Sequence, residues 1–381
     1  MRIGVATVHT PGIRGGAEFL ADGLVSALQE AGHPIHRITM PFHFAPPEAA
    51  EHALAAWQAQ DFSRFDGGRI DRMICLKFPA YALSHPDKRV WLLHQHRPAY
   101  DLYGTPHGFA AGDPASERLR AAIRAADQTH LRAARSVHTI ARRVSQRLMD
   151  DSGIASTPLY HPPADAGRFA AREALPYLLV PSRIEALKRQ DLVIRALALT
   201  QKPITALMAG DGGQRSAVEA LARSLGLDDT RVRFLGPVSR AELIALYGRA
   251  LAVFFGPRDE DYGYVTLEAM LSGKPVITCS DSGGPLEFVV NGETGVVSDP
   301  QPDEIADHLD RLFSDPAHAR RLGEAGRARY DSLDISWSNV VEALAGPDPA
   351  GKTGPDKMML HKTRLDKTGP DKTGPDKTGT H

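Results

Sequence analysis

The chain has 381 residues, 42% of them hydrophobic and 24% charged, which is room for two domains with separate cores. Its 45 basic and 46 acidic side chains nearly cancel, so no global field points to nucleic acid as a partner. Cys75 and Cys279, the only cysteines, lie far apart without metal-ligand spacing, and no apolar run reaches membrane-spanning length, which argues against a disulfide scaffold and a helical membrane span.

Strand-like and helix-like segments alternate along the chain. Met1-Arg2-Ile3-Gly4 leads straight into an apolar run over 3–8, so a strand with no signal peptide is expected, in a cytoplasmic protein at most peripheral to the membrane. A glycine-rich turn with Gly15-Gly16 follows, then Leu20, Leu24 and Leu28 recur at helical spacing until Gly32. Further strands are expected at 35–40, 73–77 and 90–94. The stretch from Arg118 to Arg147 holds eight arginines against one acid, Asp127, in an otherwise neutral chain. With Leu119, Ile123 and Leu131 in the same stretch it reads as an amphipathic basic helix, suited to an anionic membrane surface or to solvent.

His161-Pro162-Pro163 and the polar residues up to Pro176 interrupt this rhythm and mark a domain boundary. Short strands are then expected at 177–180, 205–209, 232–235, 253–255, 276–279 and 295–297, most of them separated by helical stretches. Such alternation implies parallel sheets with right-handed crossovers and ligands at the carboxyl ends of the strands. The reading is therefore α/β, with two Rossmann-like domains, 1–165 and 166–330, facing a cleft. A closing helix containing Trp337 falls within 331–346. In 347–381, Lys-Thr-Gly-Pro-Asp starts at 352, 367 and 372, with too little apolar surface to offset ordering entropy, so this tail is expected to be disordered.

The densest chemical signal is Glu260-Asp-Tyr-Gly263-Tyr-Val-Thr-Leu-Glu268, which runs from a strand through a loop into a short helix at 264–271. Eight residues along one helix would separate the carboxylates by roughly 12 Å at 1.5 Å per residue, too far to share one glycosidic bond as in a hydrolase but suited to opposite ends of a long ligand. Free N–H groups at Gly263, Tyr264, Val265 and Thr266 and the positive helix end favour a diphosphate between them. Arg183 and Lys188, five apart in a strand-to-helix turn, form a pair that can converge on the same anion. Gly15-Gly16 lacks the dinucleotide fingerprint and the P-loop lysine, and reads as a turn that lets backbone approach a phosphate. His94, His96, Arg97 and Lys77 cluster at strand ends facing the expected cleft, where they can contact sugar or acceptor. Asp259 and Asp261 form an Asp-x-Asp, but Arg183, Lys188 and the helix terminus already offer the positive charge, so neither metal nor cofactor is expected.

These motifs, together with Pro181-Ser182-Arg183, Ala209-Gly210-Asp211-Gly212, Val232-Arg233-Phe234-Leu235-Gly236 and Gly283-Gly284-Pro285-Leu286-Glu287, resemble the retaining family 4 glycosyltransferases of GT-B fold in order and spacing. The resemblance implies that Glu260 contacts the donor sugar and Glu268 the nucleotide ribose. It also implies that Arg183 and Lys188 bind the diphosphate, that Gly15 and Gly16 close over the donor, and that His94 touches the sugar near the reaction centre. Gly210, Asp211 and Leu235 join the donor-binding set. Acceptor contacts fall to His96, Arg97 and Lys77, and the last helix packs back on the first domain. The implied activity is transfer of a sugar from a nucleoside-diphosphate sugar to a sugar or lipid-linked hydroxyl, with retention, in polysaccharide or glycolipid assembly. The alternatives are a sugar-nucleotide epimerase or hydrolase of the same fold and a non-catalytic nucleotide-sugar-binding protein.

Overall fold

The apolar run at the start becomes a strand buried at every position but its last, the signature of a parallel sheet covered on both faces. The structure is a computed structural model and describes residues 1–347 except 13, 14, 45, 66 and 67. In chain order, β1 (Ile3–His9), α1 (Gly16–Glu30), β2 (Ile35–Pro41), α2 (Glu48–Gln58), a small hairpin of β3 (Arg64–Phe65) and β4 (Gly68–Arg69), β5 (Arg72–Cys75) and β6 (Lys88–Leu92) are followed by α3 (Pro114–Arg132), β7 (Ser136–Thr139), α4 (Arg142–Ser152) and β8 (Thr157–Pro158). The first sheet has the order β2-β1-β5-β6-β7-β8, and all its pairs are parallel.

The basic segment is not one helix. Asp113 caps α3 by accepting from the Ser116 N–H at 2.8 Å, with Pro114 at the first turn, and the helix ends at Arg132. Ser136-Val137-His138-Thr139 then leaves for the sheet, because alternating β-branched residues pair well beside β6, before α4 restarts at Arg142. The arginine spacing suggested continuity that the apolar periodicity did not support.

The second half contains β9 (Tyr177–Pro181), α5 (Gln190–Leu199), β10 (Thr205–Ala209), α6 (Arg215–Ser224), β11 (Val232–Gly236), α7 (Arg240–Arg249), β12 (Ala252–Phe254), α8 (Tyr264–Leu271), β13 (Val276–Cys279) and β14 (Gly295–Ser298). Its parallel sheet has the order β11-β10-β9-β12-β13-β14. α9 (Pro302–Ser314) and α10 (Pro316–Ser332) cover it, and α11 (Trp337–Ala345) ends the described chain. Strand order reverses between β9 and β12 here and between β1 and β5 in the first sheet. A crevice opens at each reversal, at the carboxyl ends of the strands.

Two crossings join the halves. At the first, His161 is fully buried and stacks on Tyr262 at 4.5 Å between centroids, with Trp91 and Trp337 against its other sides. At the second, α11 returns to the first half. Trp337 lies so close to α1 that a Cβ on Gly23 would come within 2.3 Å of it, and the last carbonyls accept from Arg72 (Leu344 O, 3.2 Å; Gly346 O, 2.8 Å) and Arg89 (Ala343 O, 3.0 Å). Arginines at a helix C-terminus satisfy carbonyls that have no partner within the helix and complement its dipole. The expected tail lies, from residue 348 onward, outside the described residues.

Candidate functional site

The loop after β12 and the helix after it form the centre of the site. Gly263 precedes α8 with φ 89°, a left-handed conformation that favours glycine, and a Cβ there would press to 3.0 Å from Pro285. Glu260 is fixed in the loop by its own backbone, since its N–H donates to Ser282 O at 2.9 Å and its carbonyl accepts from the Gly284 N–H at 2.8 Å. Lys188, in the loop after β9, reaches across the strand-order reversal and pairs with the Glu260 carboxylate, its Nζ 5.5 Å from the Phe255 ring centre. Arg183, in the same loop, is exposed and has no side-chain partner among the described residues. The two cations therefore do not converge here: one is neutralised by a carboxylate and the other is open to solvent.

Glu268 is only 7% exposed, buried inside α8, and accepts from Arg240 Nη1 at 2.6 Å. Burial pushes its carboxyl above the ordinary range, with Arg240 opposing. Arg240 itself lies 5.0 Å over the Phe169 ring and also donates to Asp165 at 3.3 Å. Of the residues between the two glutamates, Val265 is half-buried and Thr266 fully buried. The Tyr264 hydroxyl bonds His161 Nε2 at 2.6 Å, and burial drives the phenol upward and the imidazole down to about 3, so both are neutral at pH 7.

The glycine turn after β1 faces this helix from the other half. A Cβ on Gly16 would come within 3.0 Å of the Tyr264 ring, so the turn's backbone lies close against the first residue of α8. Glu18 holds the turn by accepting from the Gly15 N–H at 2.9 Å, and its other oxygen lies 3.7 Å from Lys77 Nζ. Burial lowers the Lys77 ammonium while Glu18 raises it. Gly210 has φ 145°, and a Cβ would meet Ser182 O at 2.0 Å, so its local task is to let the loops after β9 and β10 pass each other. Asp211 beside it is exposed, 3.8 Å from Arg215, and Leu235 is half-buried.

His94 is half-buried after β6, with Nδ1 bonded to its neighbour's carbonyl, Gln95 O, at 2.6 Å. Burial lowers its basicity while Asp261 opposes. His96 is corrected: it is 5% exposed and packed among Phe42, Phe78 and Phe109 at centroid distances of 5.9, 4.9 and 5.6 Å. An imidazole so enclosed, lowered by burial to about 3, belongs to the core and not to an acceptor surface. Arg97 donates to Asp101 at 2.5 Å and to the backbone oxygen of Asp259 at 3.2 Å.

Arg97 is part of a larger network across the cleft. Arg143 grips Asp259 with two bonds of 2.6 and 3.0 Å, and Arg147 pairs with Asp261, which also lies 3.8 Å from Arg97. Burial raises the Asp261 carboxyl, but Arg147 and Arg97 outweigh it and hold the group well below the usual carboxylate range. Glu287 accepts from the backbone N–H groups of Arg142 (3.0 Å) and Arg143 (2.7 Å), capping α4 from the opposite half. The expected Asp-x-Asp is thus occupied by arginines. Among the described residues no group of three His, Cys, Asp or Glu is placed to hold a metal.

Three more of the eight arginines also make contacts within the chain. Arg120 donates to Ala99 O (3.0 Å), Arg124 to Asp151 O (2.7 Å) and Arg132 to Ser152 O (3.2 Å). Half of the eight arginines, Arg118, Arg132, Arg135 and Arg142, nevertheless remain exposed. Sequence reasoning passed over Arg240 and the pairing of the arginine-rich segment with the acidic loop. Only the second had a signal, the local excess of positive charge facing Asp259-Glu260-Asp261.

The family described as Glycosyl transferases group 1 matches residues 164–329. Glycogen synthase of Mycobacterium tuberculosis is 35% identical over 211 residues, covering 53% of this chain and 50% of the relative. D-inositol 3-phosphate glycosyltransferase of Corynebacterium diphtheriae is 34% identical over 172 residues, 42% of this chain and 39% of the relative. The chain spans about half or less of the length of these curated relatives. HepE of Anabaena in complex with UDP superposes with a TM-score of 0.66 at 18% identity, covering 91% of this chain and 98% of that one. Sucrose-phosphate synthase of Thermosynechococcus elongatus gives 0.68 at 20% identity, covering 90% and 97%. WaaG, a glycosyltransferase involved in lipopolysaccharide biosynthesis, gives 0.67 at 16% identity, covering 91% and 100%. These likenesses establish the GT-B arrangement of two Rossmann-like domains for the described chain.

Proposed function

We propose that the chain transfers a sugar from a nucleoside-diphosphate sugar to a hydroxyl acceptor with retention of configuration, in polysaccharide or glycolipid assembly, a reading supported by the match of residues 164–329 to the family described as Glycosyl transferases group 1. The observation that carries the reading is the Lys188–Glu260 pair at the strand-order reversal beside the N-terminus of α8, faced across the cleft by Gly16. A donor entering there exchanges one pair for two. Its diphosphate takes Lys188, together with Arg183 and the N-terminus of α8 at Tyr264 and Val265, since the Thr266 N–H already donates to Gly263 O at 3.0 Å, and its sugar hydroxyls take Glu260. Glu268, behind the helix and fixed by Arg240, is assigned to the ribose.

In the transfer itself the bond from the anomeric carbon to the phosphate oxygen breaks and the acceptor oxygen bonds to the same face of that carbon. The acceptor proton passes to the departing phosphate. Charge grows on the diphosphate as it leaves, and in this reading Lys188 and Arg183 turn to it and take up that charge. No metal is assigned, because Asp259 and Asp261 already hold arginines. Buried, unpaired Cys75 and Cys279 support a cytoplasmic setting, and no helix among the described residues is long and apolar enough to cross a membrane.

Thermal shift against UDP-, GDP- and ADP-sugars, followed by transfer assays with the stabilising donor, tests the reading, since a ligand of the native state alone raises stability by mass action. A new glycoside with the donor's anomeric configuration is the expected product. Release of free sugar indicates a hydrolase, an epimerised donor an epimerase, and stabilisation without any product a binding protein. Absence of stabilisation by every donor refutes the reading.

A further inference from the structure

We propose that Arg143 and Arg147 are positioning residues: from the acceptor-side half they grip the aspartates on either side of Glu260 and so set where that carboxylate stands. This rests on the proposed role of Glu260 in holding the donor sugar. Three features carry it. First, Asp259 and Asp261 flank Glu260 directly, and both face arginines of α4 across the cleft. Second, α4 is itself indexed to the donor half, because Glu287 accepts from the N–H groups of Arg142 and Arg143 while the Tyr160 hydroxyl donates to it at 2.6 Å. Third, the grip is directional. Arg143 binds Asp259 through two parallel bonds, and Arg97 adds a third from β6's loop to the Asp259 carbonyl.

The consequence is that the donor loop has its productive shape only while the two halves are together. Asp259 has φ 47°, a left-handed conformation that costs a non-glycine residue energy and persists where surroundings impose it. Backbone bonds to Asp281 and Ser282 hold one side of the loop, and the arginines hold the other. An acceptor docked in the first half would therefore meet a donor sugar whose anchoring carboxylate is placed by that same half.

The Arg143–Asp259 pair is the one to test, since removing Arg147 would leave the half-buried Asp261 with a reduced set of partners and endanger folding. Arg143→Gln, Asp259→Asn and the double variant are made in the full chain. Asn keeps the left-handed backbone accessible. Each single variant should lower kcat roughly tenfold, leave the Kd for UDP within about twofold, and lose no more when combined. Amide hydrogen exchange at Asp259 and Glu260 should speed several-fold in all three variants, equally. Losses that multiply in the double variant, UDP affinity falling in step with kcat, or unchanged exchange would overturn the proposal. If the wild-type chain transfers no sugar, the functional reading has failed, and the exchange data alone then decide the grip.

Discussion

Replacing Arg240 by Gln removes the single cation that neutralises Glu268, and the structure sets the cost. Glu268 is 7% exposed and its pair with Arg240 measures 2.6 Å. Breaking a fully buried pair costs about 3–5 kcal/mol, but the Arg240 side chain is 31% exposed, and water near its outer edge reduces this to about 2 kcal/mol. For a unit of this size that is a fall in Tm of about 3 °C at pH 7. The sign with pH follows from the raised native carboxyl. Across the window from 4.5 up to that raised value the folded chain holds a proton the unfolded chain has lost, so the stabilisation present below 4.5 is lost as pH rises. Without Arg240 the native value climbs further and the window widens upward. Melting curves between pH 4.5 and 8 read this directly, and the decisive comparison is Arg240→Gln against Arg240→Gln with Glu268→Gln. If the damage is an unpaired buried charge, the double variant melts above the single one. A double variant that melts lower, by the sum of two independent losses, would refute the reasoning.

Arg183→Ala should leave Tm unchanged, because the side chain is exposed and unpartnered, yet weaken binding of the stabilising nucleotide by about 1.5 kcal/mol, roughly tenfold by calorimetry. Equal binding would remove Arg183 from the site. Glu260→Gln frees Lys188 from its carboxylate, so turnover should drop while affinity for free UDP holds or rises; a matching loss for UDP would count against contact with the sugar. Transfer should survive exhaustive EDTA treatment, and activity lost to EDTA and restored by manganese would reassign Asp259 and Asp261 from arginine to metal. Vesicle sedimentation at low salt should show no preference for anionic over neutral lipid, given the internal bonds of Arg120, Arg124 and Arg132; an anionic-specific, salt-sensitive pellet would show that those bonds exchange for lipid.

The parallel sheets were legible because their central strands β1, β5, β6, β9, β12 and β13 are short runs buried on both faces, and the loop between the glutamates because Gly263 and the helix after it carry local backbone signals. What local pattern could not supply was partnership at long range. Nothing near Arg240 in the chain announces Glu268 twenty-eight residues on, nor does His96, two positions from His94, advertise that it points into phenylalanines rather than the cleft. The helix α2 and the strand β7 were missed as well: α2 is apolar mostly through alanines, which mark no clear face, and β7 buries only Thr139 fully and takes its place from pairing with β6.

The chain passes between the halves at two places, at His161 and again before Trp337, and both are fastened by aromatic contact. The two passages are not separate fastenings, because Trp337 of the second packs on His161 of the first at 5.8 Å between ring centres. One aromatic cluster therefore serves both, and a substitution that loosens either passage loosens the other.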